Sequence, residues 1–411
     1  MLTRRIVGSL VATTAAAGMT VVPAPPMTGP AQANSYAGAR ANPYVQPHAG
    51  PRGWEVDLVR DFAEAHRVTR GKGATIALLS SGVARDVSAL SGALEKEKDL
   101  VGLPEAKRLN GTLIASLIVG TGRGDDSLFG IRGYAPRVKL LPVRIYPDTE
   151  DPGEDAWRPE NGGWDGIMAT GIRYAVDRGA DVIAVDEYVA ARGDRTEAAV
   201  SYAHQKGVVV VAAGGDQTVE QPGHPQGLPG VISMGTFIGD MRRDRKWTKA
   251  NTGILVSAPG VKHPTTGPGG RPWTMWGTRP ALAWGASTAA LVKAEYPELT
   301  SAQVVHAIAV SARHPKGKGR YDTDLGFGVV NPAGALKEAG RISKRPLKVT
   351  GESAVADGSH FGGNRAGKVK AVPYDWTWLG GFGGLVLVGL ILIGVAIRVL
   401  LRPESRDATR A

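Results

Sequence analysis

The 411-residue chain is 43% hydrophobic and 21% charged, which supplies core for one large α/β domain and excludes a disordered or fibrous chain. It contains no cysteine, so disulfides, thiolate catalysis and cysteine-ligated metal are excluded. A formal charge of +11 raises nucleic acid or an anionic membrane as partner. The densest basic groups, Arg242, Arg243, Arg245 and Lys246, then Lys316, Lys318 and Arg320, lie in polar loops without interleaved aromatics. They read as solvated loops near a membrane surface, and no nucleic-acid partner is expected.

Residues 1–33 carry Arg4 and Arg5, an apolar stretch over 6–22, a Pro-rich spacer and Ala31-Gln32-Ala33, the pattern of a secretory signal peptide cleaved after Ala33. Residues 34–53 read as an exposed N-terminal arm. A helical period over 54–66 opens the main domain, assigned to 54–340. After the turn at Arg70-Gly71-Lys72-Gly73, the apolar run 74–79 reads as a buried parallel strand bounded by Ser80-Ser81-Gly82. The carboxyl end of such a strand is where open α/β sheets place their sites. Residues 84–107 are polar and irregular.

Asn110-Gly111-Thr112 opens a helix through Val119 that stops at Gly120. Strands follow at 138–143, 180–185, 207–213, 231–236 and 253–258, and helices at 164–178 and 196–206. This alternation predicts a three-layer α/β fold, a mostly parallel sheet flanked by helices through right-handed crossovers. Residues 277–297 (GTRPALAWGASTAALVKAEYP) predict a long buried helix starting just after Pro280, a residue tolerated in a first turn. A further helix over 301–312 has Ser301 as candidate N-cap, and a last one ends near Ala339.

Residues 341–375 read as a linker without apolar period. Residues 376–397 form an uncharged apolar stretch long enough to span a bilayer. In the tail 398–411, Arg398, Arg402, Arg406 and Arg410 place the C-terminus in the cytoplasm under the positive-inside rule.

The 277–297 stretch resembles the nucleophile-bearing segment of subtilisin-like serine proteases, in which Gly-Thr-Ser opens a long buried helix running to a Tyr-Pro or His-Pro. The run before Ser80, Gly111-Thr112, the segment 171–183 and Leu325-Gly326-Phe327-Gly328 support the resemblance in the same order. With its C-terminal anchor the layout is similar to that of the mycosins, subtilases associated with type VII secretion. The resemblance implies that the triad aspartate falls at Ser80, the histidine at Asn110 and the serine at Arg279, and that the oxyanion asparagine falls at Gly215. Serine offers no charge to orient an imidazole, a carboxamide is no base at neutral pH, arginine has no lone pair to attack with, and glycine has no side-chain donor. Asp86, His66, His204 and His306 read as surface or satisfied groups rather than stand-ins, and no metal or cofactor motif occurs.

The expectation from these four positions is a membrane-anchored, extracytoplasmic pseudoprotease without enzymatic activity. It would bind a protein partner at the membrane surface, near secretion-system components. The alternative is an active, anchored endopeptidase with a non-standard catalytic set. A guanidinium at a helix N-terminus calls for a nearby carboxylate. Asp186 or Glu187 is therefore expected to pair with Arg279, with Ser80 and Asn110 converging there. The rival arrangement leaves Arg279 in solvent.

Overall fold

The computed structural model describes residues 53–122, 132–149, 151–159, 162–186, 193–214, 223–239, 241–260, 263–344 and 376–400. The signal peptide, the arm up to residue 52, the linker from 345, the tail from 401, Glu187 and Gly215 lie outside the described residues. The chain divides into two compact units, residues 1–367 and 368–411.

In the first unit, helix α1 (Gly53–Val68) precedes β1 (Thr75–Ser80), and the two-residue β2 (Lys98–Asp99) leads to α2 (Leu109–Val119) and β3 (Lys139–Arg144). Then come α3 (Gly163–Asp177), β4 (Val182–Val185), α4 (Asp194–Gln205), β5 (Val209–Ala213), β6 (Ile232–Ile238), β7 (Arg242–Arg243) and β8 (Val256–Pro259). A hairpin of β9 (His263–Thr266) and β10 (Pro272–Met275) precedes α5 (Thr278–Glu295), α6 (Ser301–Ser311) and α7 (Pro332–Ser343).

The main sheet runs β2-β3-β1-β4-β5-β6-β7, with β8 also paired to β6. Every pairing in it is parallel except β6 with β7. Strand alternation divides the core between the two faces. Ile76 and Leu78 join the cluster containing α2, α5, α6 and α7 residues. Ala77 and Leu79 join the cluster built from α3 and α4. Because both faces are covered, β1 reads as an unbroken apolar run rather than an alternating one.

Helix α5 is buried from Pro280 to Lys293. Its small residues set how close it comes to the sheet: a Cβ on Gly285 would stand 2.4 Å from Met234 Sδ and 3.1 Å from Val211 Cγ1. The helix begins at Thr278, two residues before Pro280, with Gly277 as N-cap at φ 93°. That positive φ suits glycine, and the Gly277 N–H donates to Gly260 O at the end of β8, at 2.7 Å.

Helix α6 is capped by Thr300 rather than Ser301, through a reciprocal box with Gln303. Helix α7 continues past Ala339 to Ser343, behind the N-cap Asn331 and with Pro332 in its first turn. The β9–β10 hairpin, a Pro/Thr-rich segment without an alternating signal, docks on α2. Thr265 Oγ1 donates to Leu113 O and Ser116 Oγ to Thr266 O, both at 2.7 Å.

In the second unit, α8 (Trp376–Leu400) contains the apolar stretch Gly380–Arg398, long enough to cross a membrane. Large apolar side chains along it, among them Phe382, Leu385, Leu390 and Ile393, are exposed, the arrangement that lipid rather than water accommodates.

Candidate active-site cleft

The candidate site lies at the carboxyl edge of the sheet, where β1, β3 and β4 end side by side. Ser80 is in register with Arg144 of β3, and the residue before it, Leu79, pairs with Val185 of β4. Asp186 therefore emerges beside Ser80, held by a hydrogen bond from its N–H to Leu79 O at 3.0 Å. Ser80 is fully buried, and its Oγ accepts from the Gly82 N–H at 3.3 Å.

The first turn of α2 closes over this strand end. A Cβ on Gly111 would fall 2.1 Å from Gly82 O and 2.3 Å from Ser80 Oγ, so only glycine permits the approach. The Gly111 N–H donates to Ser81 Oγ at 3.2 Å. Helix α2 lacks a side-chain cap from its own N-cap residue, Arg108. Asp148 supplies one from outside the helix, accepting from the Leu109 N–H at 2.5 Å, the Asn110 N–H at 3.3 Å and Asn110 Nδ2 at 2.8 Å. Burial pushes the Asp148 carboxyl up, against the pull of those donors and of Ser81.

Behind Asp148, fully buried Arg144 donates to Asp151 at 2.9 Å, to Asp99 at 3.0 Å and to Leu103 O at 2.9 Å. It ties the 148–151 loop to β2 and fixes Asp148 under α2.

Arg279, in the first turn of α5, donates through Nε to Asp186 Oδ2 at 3.0 Å, with Oδ1 at 2.9 Å. The carboxylate side chain is fully buried and the guanidinium one-third exposed. The Tyr146 hydroxyl donates to the same carboxylate. Burial pushes Asp186 above the usual carboxylate range, opposed first by Arg279 and then by Tyr146. Trp247 packs on Gly277, 3.2 Å from where a Cβ would stand, and so covers the entry to α5.

The expected pairing of Arg279 with Asp186 is thus present, and Ser80, the start of α2 and Arg279 share one edge of the sheet. The Asn110 carboxamide donates to Asp148. Four of the described histidines are held by other groups. His66 lies against Tyr134 O, His263 against Pro259 O, His224 against Gly193, and His314 beside Asp322. Two supports of the site, Tyr146 and Asp148, were not read from the sequence. The one signal for them is an arginine and a tyrosine closing the buried run of β3.

With this geometry in place, the comparisons define the class. The chain matches the Subtilase family over residues 71–329 and belongs to it. It is 30% identical to Mycosin-1 of Mycolicibacterium smegmatis over 363 residues, 76% of this chain and 79% of that protein. To Mycosin-1 of Mycobacterium tuberculosis it is 28% identical over 362 residues, again 76% and 79%. A solved structure described as the serine protease MycP1, an essential component of the type VII (ESX-1) secretion system, superposes with a TM-score of 0.56 at 26% identity. The superposition covers 74% of this chain and 92% of that one. The subtilisin-like fold and the mycosin-like character are therefore established.

The same relatives correct the expectation that the chain is not an enzyme. The family is one of peptidases, and a mycosin in it is described as a serine protease. The expectation was drawn from four positions, of which Gly215 lies outside the described residues. Residue types at those positions speak only to one constellation, and the same chemistry recurs with other constellations on other scaffolds.

Proposed function

We propose that this chain is a membrane-anchored, mycosin-like subtilase whose folded domain lies outside the cytoplasm and works with components of a type VII secretion system. The similarity to Mycosin-1 across three-quarters of the chain carries the reading. The apolar helix Gly380–Arg398 supports it. In this layout the leader 1–33 directs export, the arm 34–53 precedes the domain 54–340, and the linker 341–375 joins it to the anchor 376–397. The tail 398–411 remains in the cytoplasm.

For the chemistry, the relatives favour a serine-type endopeptidase over a purely scaffolding role. Ser80, Asn110 and Arg279, with Gly215, stand where the family resemblance puts aspartate, histidine, serine and asparagine. An endopeptidase activity here draws its nucleophile and base from a non-standard set, since neither a carboxamide nor a guanidinium accepts a proton at neutral pH.

The full chain in detergent, treated with a fluorophosphonate probe and assayed on unfolded casein, tests the chemistry. Labelling and cleavage lost together on replacing one serine support it and name the nucleophile. No labelling and no cleavage remove the endopeptidase reading. Cross-linking on intact cells tests the partner, which is withdrawn if no secretion-system component is captured.

A further inference from the structure

Away from the cleft, α6 and α7 enclose an open groove of about 1170 Å³. Ligand sites commonly measure about 300–1,000 Å³. The groove has the capacity to take several residues of extended peptide. Its floor is made by small residues at the ends of the two helices and by Tyr296. A Cβ on Gly340 would stand 2.6 Å from the Tyr296 hydroxyl, so the glycine is what lets the ring lie across α7.

The rim is basic. Lys318, Lys337 and Lys344 are exposed, and among the described residues none of them has a carboxylate within ion-pair distance. The one acidic residue lining the groove, Glu338, is engaged by Arg341 at 2.5 Å. The remaining arginine of the lining, Arg313, is held by Asp61. Three ammonium groups therefore line a concave surface whose one carboxylate among the described residues, Glu338, is held by Arg341 and is drawn on by Lys318 as well. Like charges brought together at a cavity mouth cost free energy, which an anionic occupant relieves.

We propose that this groove is a docking site for an extended acidic peptide segment of a partner protein, with Lys318, Lys337 and Lys344 pairing with its carboxylates. The concavity decides for a peptide over a lipid surface. A bilayer meets protruding side chains and would leave a groove of this volume unfilled. The proposal stands on the groove itself and does not depend on the family or on the chemistry of the cleft.

The test uses the full chain in nanodiscs of zwitterionic lipid and a fluorescein-labelled decapeptide of alternating Glu and Ala, followed by fluorescence anisotropy. Saturable binding is expected, weakening as salt rises from about 0.05 M to about 0.5 M because exposed pairs are screened. The triple variant Lys318→Glu, Lys337→Glu, Lys344→Glu should bind at least tenfold more weakly. A control with the same charge change elsewhere, Lys72→Glu, Lys96→Glu, Lys206→Glu, should keep its affinity within about twofold. Absence of binding to the parent chain, or equal loss in both triple variants, overturns the proposal. So does protection of the three lysines from acetylation in phosphatidylglycerol nanodiscs but not by the peptide, which would give the groove to lipid headgroups.

Discussion

Arg279 Nε lies 3.0 Å from Asp186 Oδ2 and joins the first turn of α5 to the end of β4. The pair brings a cation to the electropositive end of a helix and a carboxylate into a fully buried position, and each is tolerable because the other is there. Replacing Arg279 with Met should leave the Asp186 charge buried and unpaired, at a cost of about 2 kcal/mol after allowing for the exposure of the guanidinium. The double variant Arg279→Met, Asp186→Leu should recover most of the loss. Thermal unfolding of the full chain in detergent reads both, and equal destabilisation by the single and double variants would contradict the pairing.

The same variant should respond to pH with a definite sign. The folded-state pKa of Asp186 is raised, so the folded protein binds the proton more tightly than the unfolded chain, and stability increases as pH falls through that window. Removing Arg279 takes away the strongest opposing pull. The deficit of Arg279→Met relative to the parent should be greatest near pH 8 and shrink on acidification. A deficit independent of pH would show that the carboxylate is not the seat of the strain.

Arg279→Ser alone should create no fluorophosphonate-reactive hydroxyl at position 279. A serine there would face the buried Asp186 carboxylate, and the Asn110 carboxamide, which the family resemblance puts in place of the base, is turned to Asp148 and accepts no proton at neutral pH. Mass spectrometry of the labelled chain locates any adduct, and one at position 279 would refute the geometry.

Gly111→Ala should be strongly destabilising, by about 2–3 kcal/mol, because its methyl group would overlap Gly82 O and Ser80 Oγ. Gly285→Ala meets side-chain atoms of Met234 and Val211 rather than backbone, and should cost less. Denaturant midpoints that reversed this order would mean that α2 can move away from the strand end.

His263, the first residue of β9, is buried, and burial lowers its pKa to about 4. The unfolded chain takes up its proton first, so this group's contribution is fully present above pH 6.5 and is lost as pH falls toward 4. The difference corresponds to at most ~3 kcal/mol. His263→Gln should flatten the fall in melting temperature between pH 7 and pH 5.

Protease added to spheroplasts should digest the folded domain and leave a fragment from about Trp376 to Ala411. Protection of the whole domain would reverse the orientation proposed above.

Much of the scaffold was legible in the residues. The apolar runs of β1, β3, β4 and β5 read as strands covered on both faces, and the small-residue spacing of α5 read as a helix packed closely against a sheet or another helix. Period and turn chemistry put Ser80 at a strand end and Asn110 at a helix start, while the choice of these two and Arg279 as site positions came from the family resemblance. The need of Arg279 for a carboxylate followed from helix electrostatics. These are local properties, written within a few residues of where they act.

What tertiary structure decided was which distant groups meet. Asp148 caps α2 across some forty residues of chain, Tyr146 shares the Asp186 carboxylate from the next-but-one strand, and Arg144 locks the 148–151 loop. The β9–β10 hairpin forms because α2 offers it backbone carbonyls and hydroxyls, not because its Pro/Thr-rich sequence favours strand. Hydrogen bonds and ion pairs of this kind depend on sheet order and register, which a linear pattern of hydrophobicity does not encode.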